Sequence, residues 1–249
     1  MSTMLQVQGV SMRFGGLLAV ADASFEVAEG SITGLIGPNG AGKTTLFAIV
    51  SGFQKPSSGQ VLWRGEDITG RKPHLLARQG LSRTFQIVQP FAGLSVRENI
   101  AVGAFLRHKR RAEAIAVAER VAEQVGLTAE LDKPAAALTV SGRKRVELGK
   151  ALATGPRLLL LDEVLAGLNP SEVRDIVPVV RGIRDSGVTV LMIEHVMQAV
   201  MNLCDRVHVL AQGRIIANGT PAQVVANPAV VEAYLGHGAA TRLAGRADA

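Results

Sequence analysis

Aromatic residues are scarce in this sequence and cysteine is nearly absent. One Tyr, one Trp and seven Phe in 249 residues leave aliphatic side chains to fill any core. Cys204 is the only cysteine, which excludes an intramolecular disulfide and fits a reducing compartment. Long apolar runs are missing as well. Runs such as 158–161 and 188–193 fall far short of the ~18–20 residues of a membrane-spanning helix. They suit strands buried on both faces of a parallel sheet. The opening Met1-Ser2-Thr3-Met4-Leu5 has no basic stretch ahead of an apolar one, so no signal peptide is expected. Acidic residues are outnumbered, 21 against 27 Lys and Arg, giving a formal charge of +6. Such a balance admits nucleic acid, anionic lipid or a phosphate-rich ligand. The densest basic cluster, Arg107-His108-Lys109-Arg110-Arg111, has no interleaved aromatics and hence no base-stacking platform. It reads as a solvated helix face, and no nucleic-acid partner is expected.

What is present is an α/β pattern interrupted by a helical one. Strand-like segments at 5–10, 19–27 and 31–36 are separated by Gly-rich turns, and the last runs into a Gly-rich loop. A helix is expected over 43–50, a turn at 55–59, a strand at 61–63 and a turn at 64–67. From 95 to 125 the sequence is Ala-, Glu- and Arg-rich with helical spacing. A Pro-Ala linker follows at 134–137, then a helix from about 142 to 153. Strands return at 157–161 and 188–193, with helices at 171–185 and 196–203 and a hairpin around Gln212-Gly213. The reading is an α/β core over 1–89 and 156–236, a helical subdomain over 90–155, and a frayed tail at 237–249.

Two motifs carry chemistry. Gly37-Pro38-Asn39-Gly40-Ala41-Gly42-Lys43-Thr44 matches G-x-x-x-x-G-K-[ST] at every required position, between an expected strand and an expected helix. Glycines let consecutive N–H groups curl around an anion, and the helix start at Lys43, Thr44 and Thr45 adds its positive dipole end. Lys43 offers a point charge to β- and γ-phosphates, and the Thr44 hydroxyl is a hard ligand for Mg²⁺. The second motif is Leu158-Leu159-Leu160-Leu161-Asp162-Glu163, a buried strand ending in two carboxylates. Asp162 can hold Mg²⁺ through water, and Glu163 can orient or deprotonate an attacking water.

With these motifs the chain resembles the ABC ATPases over nearly its whole length. The resemblance implies a P-loop NTPase fold: a mainly parallel sheet core, an N-terminal antiparallel β part and an inserted helical subdomain. It implies ATP and Mg²⁺ as cofactors. Gln86, in Arg83-Thr84-Phe85-Gln86, takes the place of the lid glutamine that senses the γ-phosphate and Mg²⁺. His195 takes that of the switch histidine, and Phe14 that of the ring stacked on adenine. Ala166-Gly167-Leu168-Asn169-Pro170 resembles the loop that touches a second ATPase. Phe14-Gly15-Gly16-Leu17, Ile193-Glu194-His195 and Asn227-Pro228…Tyr234-Leu235-Gly236 narrow the likeness to the larger ATPase of branched-chain amino-acid importers, whose relatives also carry urea and other small metabolites. That branch implies a second, different ATPase, two transmembrane permease subunits, and indirectly a periplasmic solute-binding protein. The implied location is peripheral, on the cytoplasmic face of the inner membrane.

The family signature Leu-Ser-Gly-Gly-Gln falls on Leu138-Thr139-Val140-Ser141-Gly142, with Thr139, Ser141 and Gly142 as the expected contacts to nucleotide on the partner. Val140 stands where a glycine would let the backbone approach phosphate, and Gly142 replaces the glutamine. A shifted register would make Ser141-Gly142 the working pair. Val164 replaces the proline usual after the catalytic glutamate. Two alternatives stay open: a soluble ABC ATPase of translation or repair, and a regulatory cassette that holds ATP with weak turnover.

Overall fold

Alternating apolar and polar residues at the N-terminus form a long hairpin, β1 (Thr3–Phe14) and β2 (Leu17–Ala28), paired antiparallel from Thr3↔Ala28 to Phe14↔Leu17. The computed structural model describes residues 2–235, so the tail expected at 237–249 lies outside the described residues. Strand β3 (Ile32–Ile36) is buried at all five positions and leads through a tight loop into α1 (Lys43–Val50). Strand β4 (Ser58–Trp63) pairs with the free side of β1, and β5 (Glu66–Asp67) turns back onto it. The turn expected at 64–67 is therefore shorter. Arg64 (φ 52°) and Gly65 make it, and Glu66 and Asp67 rejoin the sheet, whose order is β2-β1-β4-β5.

Next come α2 (Pro73–Gln79), β6 (Leu81–Arg83), α3 (Val96–Ala104), α4 (Arg111–Gln124), α5 (Val140–Ala153), β7 (Leu158–Asp162) and α6 (Pro170–Asp185). Capping boxes start α3 at Ser95/Glu98 and α6 at Asn169/Glu172. The helical stretch expected as one run from 95 to 125 is two helices. Between them the Arg107 guanidinium donates to the carbonyls of Thr154 (2.6 Å) and Gly155 (3.3 Å), closing the end of α5. Four residues of the basic cluster thus lie in a connection, not on a helix face. Gly103 of α3 meets α5 so closely that a Cβ would sit 2.0 Å from the Lys150 carbonyl oxygen, so only glycine fits.

Strand β8 (Thr189–Ile193) returns to the β pattern, followed by α7 (Met197–Leu203), β9 (Arg206–Ala211), β10 (Arg214–Gly219), α8 (Pro221–Val225) and α9 (Pro228–Leu235). The short elements α2, β6, α8 and α9 are not expected from the sequence pattern. Each is under nine residues, below the length at which periodicity speaks.

The chain divides into two compact units, one of Met1–Gly70 with the chain from Met192 onward, the other of Arg71–Leu191. In the first, β9 runs parallel to β3 and antiparallel to β10. Gly34 of β3 faces Cys204, whose sulfur would be 2.9 Å from an added Cβ. Burial, then the charges of Asp205 and Glu194, push this thiol up to about 12. His208 of β9 is also buried, its Nε2 3.1 Å from the Glu26 carbonyl oxygen and its ring 5.1 Å from Phe25. Burial lowers it to about 4, with Arg206 adding to the effect and the Glu26 bond opposing it. In the second unit β6 and β7 are parallel, in the order β8-β7-β6, and α3, α4 and α5 pack together. Among the described residues no helix is long and apolar enough to cross a membrane.

Candidate functional site

In the first unit, β3 ends at buried Ile36 and hands the chain to the loop 37–42. Gly37 (φ 152°) and Gly42 (φ 102°) pin it at both ends. A Cβ on Gly37 would lie 1.9 Å from the Leu210 carbonyl oxygen, and one on Gly42 2.4 Å from that of Ala19. Between them Gly40 (φ 76°) faces open space, beside exposed Asn39 and half-buried Pro38. The main chain of buried Ala41 is anchored where its carbonyl accepts the Gly213 N–H at 3.0 Å.

Lys43 folds back into the loop, its amine donating to the carbonyls of Gly37 (2.8 Å) and Pro38 (2.9 Å). Helix α1 has no side-chain cap and no acid in its first turn, so its positive dipole end faces no carboxylate of its own first turn. Thr44 is exposed there and Thr45 half-buried. The Tyr234 hydroxyl of α9 is hydrogen-bonded to the Gly37 backbone, and burial raises its pKa. Phe14 presents its ring to solvent at the hairpin tip (46% exposed), and His195 is exposed just after β8.

In the second unit, β7 is buried over all five residues and ends at Asp162. The next residue, Glu163, adopts φ +50°, a left-handed conformation costing a non-glycine residue about 1 kcal/mol or more. Its carboxylate accepts the Gln86 amide at 2.6 Å, and its carbonyl accepts the amine of buried Lys144 at 3.1 Å. Asp162 is gripped separately. Its N–H donates to the Thr84 hydroxyl (3.1 Å), and its carboxylate accepts from Arg83 (2.7 Å).

Helix α5 begins at Val140, two residues ahead of the expected start. Thr139 is its N-cap, the hydroxyl accepting the Gly142 N–H at 3.1 Å. Ser141 is buried in that first turn, Val140 is 48% exposed, and Val164 is buried. Asn169, at the end of the 166–170 segment, caps α6 by accepting from Ser171 and Glu172.

The structure thus joins Lys43 to its own loop, Gln86 to Glu163, and Thr139 to Gly142. Sequence marks Arg83 and Thr84 only as neighbours of Gln86, with no role of their own, and does not mark Lys144 for the acid pair. Their partners lie 79, 78 and 19 residues away, and a lone Arg, Thr or Lys carries no spacing signature.

Residues 20–166 match the family described as "ABC transporter", and residues 214–240 match "Branched-chain amino acid ATP-binding cassette transporter". The high-affinity branched-chain amino acid transport ATP-binding protein BraF of Pseudomonas aeruginosa is 41% identical, over 93% of this chain and 97% of its own. LivG of Escherichia coli (strain K12), a protein of the same description, is 40% identical over 94% and 98%. Among solved structures, an ATP-binding cassette of an ABC transporter in its ADP conformation superposes with a TM-score of 0.86 at 32% identity, covering 95% of this chain and all of that one. A nucleotide-free cassette gives the same score and identity.

Proposed function

Since the chain belongs to the ABC transporter family, we propose that it is the ATP-hydrolysing subunit of an importer for branched-chain amino acids or a related small metabolite. The observation that carries the reading is the acid pair at the end of β7: Glu163 in a left-handed turn, its carboxylate 2.6 Å from Gln86, one residue beyond buried Asp162.

Each residue has a role in this reading. In the first unit, the main-chain N–H groups of 37–45 and the end of α1 cradle the phosphates. Lys43 exchanges two carbonyl oxygens for β- and γ-phosphate oxygens, Phe14 stacks on adenine, and His195 approaches the γ-phosphate. In the second unit, Glu163 takes the proton of the attacking water, and Gln86 reports whether the γ-phosphate is present by keeping or releasing that carboxylate. The first turn of α5, Thr139 to Gly142, offers its N–H groups to nucleotide held by a second ATPase.

Thr44, Asp162 and Gln86 are the proposed ligands of Mg²⁺, which when bound draws negative charge from the phosphate oxygens. All three present hard oxygens. Among the described residues no cluster of three His, Cys, Asp or Glu side chains could hold a metal.

The partners in this reading are a homologous ATPase, two permease subunits and, through them, a periplasmic binding protein, with this subunit peripheral on the cytoplasmic face of the inner membrane. Exposed Val140 in the first turn of α5 favours unequal ATP sites, the one completed by this turn closing less well.

Reconstitution with membrane subunits in proteoliposomes tests the whole. Solute uptake should require ATP and vanish with Glu163→Gln. ATP turnover indifferent to permease, binding protein and solute would instead support a soluble ATPase.

A further inference from the structure

A deeply buried ion pair joins Arg83 to Asp162, at 2.7 Å with side chains 9% and 4% exposed. Backbone geometry sets it up. Strand β6 runs parallel to β7 with Arg83 opposite Leu160, the Thr84 N–H donates to the Leu160 carbonyl (2.9 Å), and the Thr84 hydroxyl accepts the Asp162 N–H. The end of β7 is thereby fixed with the guanidinium against the carboxylate. That guanidinium also lies over the Phe85 ring, 5.4 Å from its centroid. Three residues on, Gln86 holds Glu163. One short segment, 83–86, therefore grips both members of the acid pair.

A carboxylate that accepts a charge-assisted hydrogen bond in a buried setting has given part of its ligating capacity to another cation. A divalent ion approaching Asp162 must share that carboxylate with Arg83 and meets the repulsion of a like charge in a medium that screens poorly. We propose that Arg83 is the resident counter-ion of Asp162, occupying the place of the metal's charge until nucleotide brings Mg²⁺ in. Arg83 then yields the carboxylate, and the movement passes along the segment to Phe85 and Gln86. Metal loading is thus conditional on nucleotide, and Arg83 acts as a positioning residue. The inference rests on the reading of Asp162 as the carboxylate that faces the metal.

Mn²⁺ binding to the purified full chain, measured by the loss of the free-ion EPR signal with and without ADP, tests it. The parent should bind Mn²⁺ well only with ADP. Arg83→Gln should bind Mn²⁺ without nucleotide at least ~10-fold more tightly than the parent, because a competing cation has been removed. Arg83→Lys, which keeps a cation but loses the planar fork, should bind nucleotide-free Mn²⁺ more weakly than Arg83→Gln. Adding Asp162→Asn to Arg83→Gln should abolish the gain. Since removing one partner of a buried pair destabilises, a second readout is the melting temperature. Mn²⁺ alone should raise it for Arg83→Gln or, if that folds poorly, for Arg83→Met, and leave the parent unmoved. Equal nucleotide-free Mn²⁺ affinity in parent and Arg83→Gln, with ADP-supported binding intact in both, overturns the role of Arg83 while sparing the reading of Asp162. ADP-supported Mn²⁺ binding that is unchanged by Asp162→Asn overturns both.

Discussion

The phosphate loop and the acid pair solve opposite problems. In the first unit the loop is built from main chain. Two glycines that tolerate no side chain set its curl, and its one charged side chain rests on the loop's own carbonyls, five and six residues away. In the second unit the acid pair is built from side chains that converge from β6, the following segment and α5. A main-chain device is local and leaves a pattern of glycines. A side-chain device is assembled by the fold and leaves almost none. The first region should therefore fail through backbone substitutions and loss of binding, the second through loss of turnover.

Turnover gives the largest expected effect. Glu163→Gln keeps the shape of the carboxylate but not its basicity, and should slow ATP hydrolysis by at least ~100-fold, the low end for a positioned general base. Single-turnover assays with labelled ATP would show it, with ATP affinity near that of the parent. Hydrolysis at the parent rate would move the base elsewhere and break the comparison.

On the other side, Lys43→Ala should weaken MgATP binding by about 100-fold, since loss of one partner of a buried charged contact costs 2–5 kcal/mol. Calorimetry reads this directly, and unchanged affinity would mean that the loop holds nucleotide without its cation.

Acid offers a way to separate the units. His208 is lowered to about 4 in the folded first unit against 6.5 unfolded. Between those values the unfolded chain binds the proton and the folded one does not. Stability is therefore full above pH 6.5 and is lost as pH falls toward 4, by about 2 kcal/mol at pH 5. His74 and His108 of the second unit are not buried. Hydrogen exchange at pH 7 and pH 5 should thus show β9 and its neighbours losing protection first, and His208→Gln should reduce the difference. Uniform loss across both units would contradict this.

The smallest effect concerns Lys144. Lys144→Met removes the amine from the Glu163 carbonyl without touching the carboxylate. It should lower kcat about 10-fold, the scale of one charged hydrogen bond, and leave nucleotide affinity unchanged. A rise in Kd with kcat intact would reassign Lys144 to binding.

Much of the architecture was legible in the sequence for the same reason that the loop was. The apolar runs 158–161 and 188–193 have the length of inner strands and fall on β7 and β8, and the glycines between Gly37 and Thr44 mark a curled loop. Helix α1 falls on the expected residues 43–50. The break at 105–110 was not legible, because the interaction that makes it, Arg107 on the end of α5, joins positions 47 and 48 residues apart. Nor was the start of α5. Val140 is a poor advertisement for a helix, and only the Thr139 cap fixes it there. In the acid pair, the sequence showed the carboxylates and Gln86 but not the cations that hold them.

The buried thiol of Cys204 has a practical use. With its sulfur packed against β3 and its pKa near 12, it should ignore maleimides at neutral pH. It is the chain's only cysteine. A cysteine placed at Ile87, 74% exposed and next to Gln86, would then be the one reactive thiol. A fluorophore there could follow the 83–86 segment in real time, with no native sulfur to strip first.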